Sequence, residues 1–88
     1  SFLMYIHLGG EYVANENSII GIFDLEKTTV SKATRDFLSG AEKKGEVINV
    51  SYELPKSFIL TNKNNKNKVY ISQISPNTLT KRQGIIVK

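Results

Sequence analysis

The stretch that most constrains the fold is residues 19–38, where the apolar pattern changes from that of a strand to that of a helix. Its first part is a nearly unbroken apolar run that is too short for a helix: Ile19, Ile20, Ile22, Phe23 and Leu25. Such a run is typical of a strand that is covered on both faces. We therefore expect it to form the central strand of a sheet, with the other elements packed around it.

A helix is predicted to follow this strand. Thr28, Thr29 and Ser31 can accept hydrogen bonds from the unpaired amides of a first helical turn, so the helix should begin near residues 29–31. Apolar residues then recur at three- and four-residue steps and form one stripe for packing on the sheet: Val30, Ala33, Phe37, Leu38 and Ala41. Gly45 takes a left-handed conformation easily and follows two lysines, which predicts the end of the helix.

Shorter strands are predicted before and after this unit. Alternating or short apolar runs favour strands at residues 5–8, 11–14, 46–52, 57–61 and 69–74. Gly9 and Gly10 should turn the chain between the first two strands. The last two strands bracket six polar residues, 62–67, which are predicted to be the loop of a hairpin.

The chain is expected to end in a second helix and a tail. Ser75 provides a cap and Pro76 suits the first helical position, so a short helix is predicted at residues 75–82. Residues 83–88 are either a tail or a strand added to a neighbouring sheet. Together the pattern predicts an α+β fold: a small, mainly antiparallel sheet with one long helix packed on it and a short C-terminal helix.

Four segments resemble a known family: YIHLGG at 5–10, IIGIFDLEKTTVSKATRDFL at 19–38, INVSYELPKSFIL at 48–60 and VYISQISPNTLTKR at 69–82. They cover most of residues 4–82 in one order and resemble the RemB branch of the extracellular matrix regulator family, RemA/RemB. The resemblance implies a bacterial, cytoplasmic and nucleoid-associated domain related to RemA, a DNA-binding activator of biofilm matrix genes that assembles into rings. It therefore implies a ring-forming homo-oligomer and a regulatory function.

The charge is divided unevenly along the chain. Residues 1–53 contain all eight acidic residues and five of the basic ones, whereas residues 54–88 contain seven basic residues and no acidic one. Such asymmetry favours a surface that meets a polyanion, and duplex DNA is the predicted partner. The alternative interpretation is a solvated, lysine-rich exterior that binds nothing in particular.

Five basic residues are the predicted DNA-binding set: Lys32, Arg35, Lys56, Lys81 and Arg82. Lys32 and Arg35 fall outside the apolar stripe of the predicted long helix, while Lys81 and Arg82 close the predicted short one, where they could instead stabilise the helix end. In the RemA branch a loop carries an arginine pair that resembles a DNA-contacting element. Here that place is taken by residues 54–55, Leu-Pro, and then Lys56, so the predicted binding is weak and sequence-tolerant.

An alternative function follows from the same loop. Its apolar residues and the sheet edges favour a structural or interaction protein that does not bind DNA and acts through a protein partner. RNA binding is less favoured, because the tyrosines are scattered over different strands.

Catalysis is not predicted. His7 is the single histidine, and no nucleophile with a nearby base can be assembled around it. Asp24 and Glu26 lie two residues apart but have no further metal ligands near them in the pattern. Gly9 and Gly10 are not followed by a helix, as a phosphate-binding loop requires. We expect no metal, no cofactor and no small-molecule substrate.

Composition sets the remaining expectations. The absence of cysteine excludes disulfides and thiolate zinc sites. No apolar run suits a membrane span, and no leader pattern opens the sequence, so a cytoplasmic location is expected. Residues 1–3 precede Met4 and are expected to be an addition left by cloning, with a single domain at 4–82. A domain this small has a limited core, which favours burial of surface between subunits.

Overall fold

The computed structural model describes residues 5–26 and 31–87, with side chains as far as Arg82. This part of the chain forms β1 (Tyr5–Gly9), β2 (Tyr12–Asn15), a short 3-10 helix (Glu16–Ser18), β3 (Ile19–Asp24), α1 (Lys32–Lys43), β4 (Val47–Asn49), β5 (Ser57–Lys63), β6 (Lys66–Ser72) and α2 (Pro76–Val87). These elements confirm the predicted α+β class. Residues 1–3, and the predicted roles of Thr28, Thr29 and Val30, lie outside the described residues.

The larger sheet is organised around β5 and β6 rather than β3. Its strand order is β3-β5-β6-β4, with β3 and β6 antiparallel to β5 and with β4 parallel to β6, while β1 and β2 form a separate antiparallel hairpin. The prediction of a central β3 is wrong, because β3 lies at the edge and its Ile20 and Phe23 are 62% and 43% exposed. An apolar run shows that both faces are apolar, not that both are covered.

The four-stranded sheet is covered on both faces, which gives three layers. Alternate residues of β5 point to opposite faces, as the period of a strand requires. On one face α1 contributes Leu38 and Ala41 to a cluster that contains Phe58, Leu60, Val69 and Ile71. On the other face β1, β2 and α2 cover Ile59 and Tyr70 with Ile6, Leu8, Ala14 and Leu79. The two helices therefore lie on opposite faces of the sheet.

Helix α1 begins where its cap predicts. The Ser31 hydroxyl accepts a hydrogen bond from the Thr34 amide at 3.1 Å, and the helix runs from Lys32 to Lys43, with Gly45 at a φ of 73° just beyond it. Only part of the predicted apolar stripe is buried, because Ala33 and Phe37 remain exposed. This exposure leaves the first half of α1 partly uncovered.

Helix α2 begins as predicted but ends later. The Ser75 hydroxyl accepts a hydrogen bond from the Thr78 amide at 3.3 Å, and Pro76 is the first helical residue. The helix continues to Val87, so the residues expected to form a tail or a strand after residue 82 are helical as far as Val87. Since α1 and α2 both have 12 residues, the prediction of one long and one short helix is not confirmed.

The β5–β6 hairpin is longer than predicted. Pairing continues through Asn62 and Asn67 to Lys63 and Lys66, so the predicted six-residue loop is wrong. The turn consists of residues 64–65, two asparagines with φ values of 55° and 63°. Asparagine tolerates this left-handed conformation, which allows a two-residue turn whose twist matches the paired strands.

The β1–β2 hairpin docks on the sheet through its glycine turn and one buried hydroxyl. A Cβ atom on Gly10, whose φ is 54°, would lie 2.6 Å from the carbonyl oxygen of Val50, so a side chain does not fit there. The buried Ser72 hydroxyl donates to the Leu8 carbonyl at 2.6 Å. The predicted strand at 46–52 is shorter than expected, because β4 ends at Asn49.

Candidate nucleic-acid interface

The five predicted DNA-binding residues lie in three separate places. Lys32 and Arg35 belong to α1 on one face of the four-stranded sheet, whereas Lys81 and Arg82 belong to α2 on the other face. Lys56 precedes β5 at the sheet end where β3 finishes, because Asp24 of β3 pairs with the residue after Lys56. A single subunit therefore does not bring the five side chains onto one surface.

The cations of α1 lie on its solvent side. Lys32 donates to the Asp36 carboxylate at 2.7 Å, and the two side chains are 81% and 65% exposed. An exposed pair one helical turn apart contributes only about 0.3–0.5 kcal/mol, so phosphate could compete for this lysine. Arg35 is exposed, and its backbone amide donates to the Ser31 carbonyl at 3.0 Å. Both residues are positioned by the first turns of the helix.

Lys56 is held by the sheet through its backbone. Its amide donates to the Ser72 carbonyl at 2.8 Å, and its carbonyl accepts from the Leu25 amide at 2.9 Å. Its Nζ lies 3.9 Å from the Glu26 carboxylate, and both side chains are half exposed. The backbone of Lys56 is therefore fixed by the sheet, whereas its ammonium group is only loosely held by Glu26.

Arg82 links α2 to β1. Its Nη1 donates to the His7 carbonyl at 2.6 Å, across 75 positions of the sequence. The predicted role at a helix end is wrong, because α2 continues to Val87 and leaves Arg82 in the middle of the helix. Lys81 beside it is exposed and makes no hydrogen bond or ion pair with another described residue. Arg82 thus has a structural contact that Lys81 lacks.

Three further lysines, absent from the predicted set, share one surface. Lys63 pairs with Lys66 and Thr61 with Lys68, so these side chains lie on the same face of the hairpin as Ile59 and Tyr70. The three lysines line a cavity of about 340 Å³ beside the β1–β2 hairpin. The signal was present in the period-two spacing of Lys66 and Lys68, but it was missed because residues 62–67 were interpreted as a loop.

Tyr70 forms part of the same cavity. Burial, and to a smaller extent the neighbouring phenol of Tyr12, raises the pKa of Tyr70 above its usual value. The two rings are tilted by 58° with their centroids 6.2 Å apart. The Tyr70 hydroxyl is thus protonated at neutral pH and can donate a hydrogen bond.

The loop before β5 exposes apolar side chains. Tyr52 is fully exposed and Leu54 is 84% exposed. A cavity of about 280 Å³ beside them is lined by Glu53, Leu54, Lys56 and Gln73. The Gln73 Oε1 atom is buried and accepts no hydrogen bond from the described residues. A protein partner that covers this loop would bury the Tyr52 and Leu54 side chains.

Residues considered for chemistry have ordinary structural contacts. The ring Nε2 of His7 lies 2.8 Å from the Gly10 carbonyl, which requires a proton on that nitrogen. Asp24 accepts a hydrogen bond from the Glu26 amide at 2.7 Å. Within the described residues no three potential ligands come together as a metal site, and neither helix is long and apolar enough to cross a membrane.

Comparisons with known proteins agree with the resemblance found in the sequence. The RemA-like family, described as extracellular matrix regulatory protein A-like, matches residues 5–83. Extracellular matrix regulatory protein B of Bacillus subtilis (strain 168) is similar to this chain, with 38% identity over 79 residues, 90% of this chain and 89% of that protein. The region matched by the family, residues 5–83, includes every strand described above, all of α1 and the first part of α2.

Proposed function

Because the chain belongs to the RemA-like family of extracellular matrix regulatory proteins, which supports a regulatory role, we propose that it is a non-catalytic regulator that binds duplex DNA. Binding is weak for each subunit and has little sequence preference. It uses the basic residues Lys32, Arg35, Lys56, Lys81 and Arg82, presented together by a homo-oligomer, in a cytoplasmic protein associated with the nucleoid.

The observation that carries this proposal is the segregation of charge. The acid-free stretch 54–88 supplies β5, β6 and α2, and of its described basic side chains Lys56 alone forms an ion pair, at 3.9 Å with Glu26. Lysine and arginine release condensed counterions when they contact DNA phosphates, and they do so without reading the bases. A surface of this kind therefore supports binding that depends strongly on salt and weakly on sequence.

Assembly is needed because the proposed residues lie in three separate places on one subunit. The outer edges of β3 and β4, at opposite ends of the larger sheet, have no strand partner among the described residues. Beside β3, an apolar cavity of about 250 Å³ is lined by Phe23, Ala33, Thr34, Phe37, Phe58 and Leu60. Contact between the β3 side of one subunit and the β4 side of the next is head-to-tail, and such contacts close into rings when the rotation permits.

Two matched variants test the DNA proposal. Lys81→Gln removes an exposed cation of the proposed set, and Lys43→Gln removes an exposed cation of α1 that lies outside it. In a fluorescence anisotropy titration with a duplex, we expect Lys81→Gln to weaken binding several-fold and Lys43→Gln to leave it within twofold. Equal effects of both variants would mean that binding follows net charge alone, and the proposed residues would lose their assignment.

The oligomer has its own test. Light scattering is expected to show a closed assembly for the original protein and smaller species for Phe37→Asp, since a carboxylate in the apolar cavity opposes burial between subunits. Exposed Phe37 contributes to the packing within one subunit through the Phe58 ring at 6.2 Å, so folding of the variant must be verified by its circular dichroism. A folded monomer of the original protein would contradict the proposal.

A second candidate function is favoured by the exposed loop. Tyr52 and Leu54 suit a protein partner better than DNA, because burial of exposed apolar side chains stabilises protein complexes. If this function is correct, the protein shows no DNA binding even at low ionic strength. Leu54→Ser would then abolish binding to the partner, while Lys81→Gln would leave it unchanged.

A further inference from the structure

The face of the β5–β6 hairpin that is turned toward β1 and β2 concentrates positive charge in a recess. Lys63 lies directly opposite Lys66, and Lys68 lies two residues further along β6 on the same face. All three line the cavity of about 340 Å³, together with Asn15 and Tyr5 among others. From this arrangement we infer that the cavity is a binding site for a small organic phosphate.

The first argument is electrostatic. Like charges directly opposite each other on paired strands destabilise the pairing. No carboxylate of a described residue lines the cavity, and none of the three lysines forms an ion pair within this part of the chain. Glu46 lines a groove that also includes Lys66 and Lys68, but it is not ion-paired with either. A bound anion would therefore reduce the repulsion among three lysines that no carboxylate holds in an ion pair.

The second argument is the supply of neutral donors in the same cavity. The Asn15 side-chain oxygen accepts a hydrogen bond from the Asn17 amide at 2.9 Å, which leaves the side-chain NH₂ group to donate. The Asn15 backbone carbonyl accepts from the Ser18 hydroxyl at 2.7 Å and fixes the same turn. Tyr70 adds a protonated phenol to the lining. Hydrogen-bond donors and cations thus line the cavity together, and the described lining includes no acidic residue.

The third argument concerns the organic part of the ligand. Tyr5 and Val13 also line the cavity and are 50% and 53% exposed, so they form an uncovered apolar wall beside the lysines. A cavity of about 340 Å³ lies within the range of small-molecule sites, about 300–1,000 Å³, and does not admit a DNA duplex. The combination suits a phosphate ester of about mononucleotide size better than bare phosphate.

This site is distinct from the proposed DNA-binding set, and the inference does not rest on DNA binding. The sequence predicted no small-molecule substrate, and the inferred phosphate is a ligand that the protein binds without converting it. A regulator with such a site could respond to the concentration of a phosphorylated metabolite.

The test is an NMR titration of the full chain with AMP, inorganic phosphate and adenosine as probes. We expect AMP to shift the amide signals of residues 61–70 and of Asn15, phosphate to shift the same signals with lower affinity, and adenosine to shift them least. In Lys63→Gln/Lys66→Gln/Lys68→Gln the AMP affinity should fall at least about tenfold, since charge-assisted hydrogen bonds are lost. The control Lys43→Gln/Lys44→Gln should bind AMP as the original protein does.

The inference would be overturned by no localised shift with AMP at low salt, by an unchanged AMP affinity in the triple variant, or by adenosine binding as tightly as AMP. A duplex that shifts these signals when AMP does not would also overturn it, because the lysines would then belong to a DNA-binding surface. If AMP binds at the site and no duplex binds anywhere, this inference stands while the proposed function fails.

Discussion

Replacing Arg82 by alanine separates a structural role from a DNA-binding role. The guanidinium donates to the His7 carbonyl at 2.6 Å and thereby ties α2 to β1. A hydrogen bond from a charged donor contributes about 1.5–3 kcal/mol, but this one is accessible to water, which can replace the donor, so we expect a loss of about 1 kcal/mol. For a domain of this size that loss lowers the melting temperature by about 4–8 °C.

The assay is thermal unfolding followed by circular dichroism, with Lys81→Ala as the matched control. Lys81 is the preceding residue of the same helix, is exposed and makes no hydrogen bond or ion pair with a described residue. Replacing Lys81 should therefore change the melting temperature less than replacing Arg82 does. Arg82→Lys should fall between the two, since a lysine retains a charge but not the fork of donors. Equal melting temperatures for Arg82→Ala and Lys81→Ala would refute the structural role.

Three further predictions concern single residues. Ser72→Ala removes the buried hydrogen bond to the Leu8 carbonyl and the one accepted from the Ile74 amide, and should cost about 1–3 kcal/mol in urea unfolding; an unchanged midpoint would contradict this reasoning. Lys66→Glu places opposite charges across the hairpin from Lys63 and should raise the melting temperature by a few degrees while abolishing AMP binding; a lower melting temperature would contradict the electrostatic argument. The raised pKa of Tyr70 means that the unfolded chain loses this proton first, so stability should fall as the pH rises above about 10, and less steeply in Tyr70→Phe.

The sequence predicted the elements better than their arrangement. The strand around Ile6 and Leu8 and the caps at Ser31 and Ser75 were predicted, because each depends on neighbouring residues: alternation in the strand and a hydroxyl before the first turn in the helices. The position of β3 at the sheet edge was not predictable in this way, since it depends on which strands pair across long distances. The same limit applies to the two helices on opposite faces.

The candidate site likewise combines features that the sequence predicts with features that depend on long-range contacts. Charge segregation identified a basic stretch. The grouping of Lys63, Lys66 and Lys68 depends on a two-residue turn, which the sequence did not predict because the polar residues 62–67 resemble a loop. The bond from Arg82 to the His7 carbonyl joins residues 75 positions apart, and no local pattern signals it. The family resemblance was confirmed by the comparisons, which identify the family without locating the surface that acts.

The measurement that tests the proposed function most directly is the salt dependence of binding to two duplexes of the same length and unrelated sequence. DNA binding through phosphate contacts predicts that the logarithm of the association constant falls linearly with the logarithm of salt concentration, with a slope of about −0.9 for each phosphate contacted. We expect a slope of several units for the assembled protein, nearly equal for both duplexes and smaller in magnitude for Lys81→Gln. No binding at low salt, or binding that does not change with salt, would contradict the proposal that this regulator acts on DNA through its basic residues.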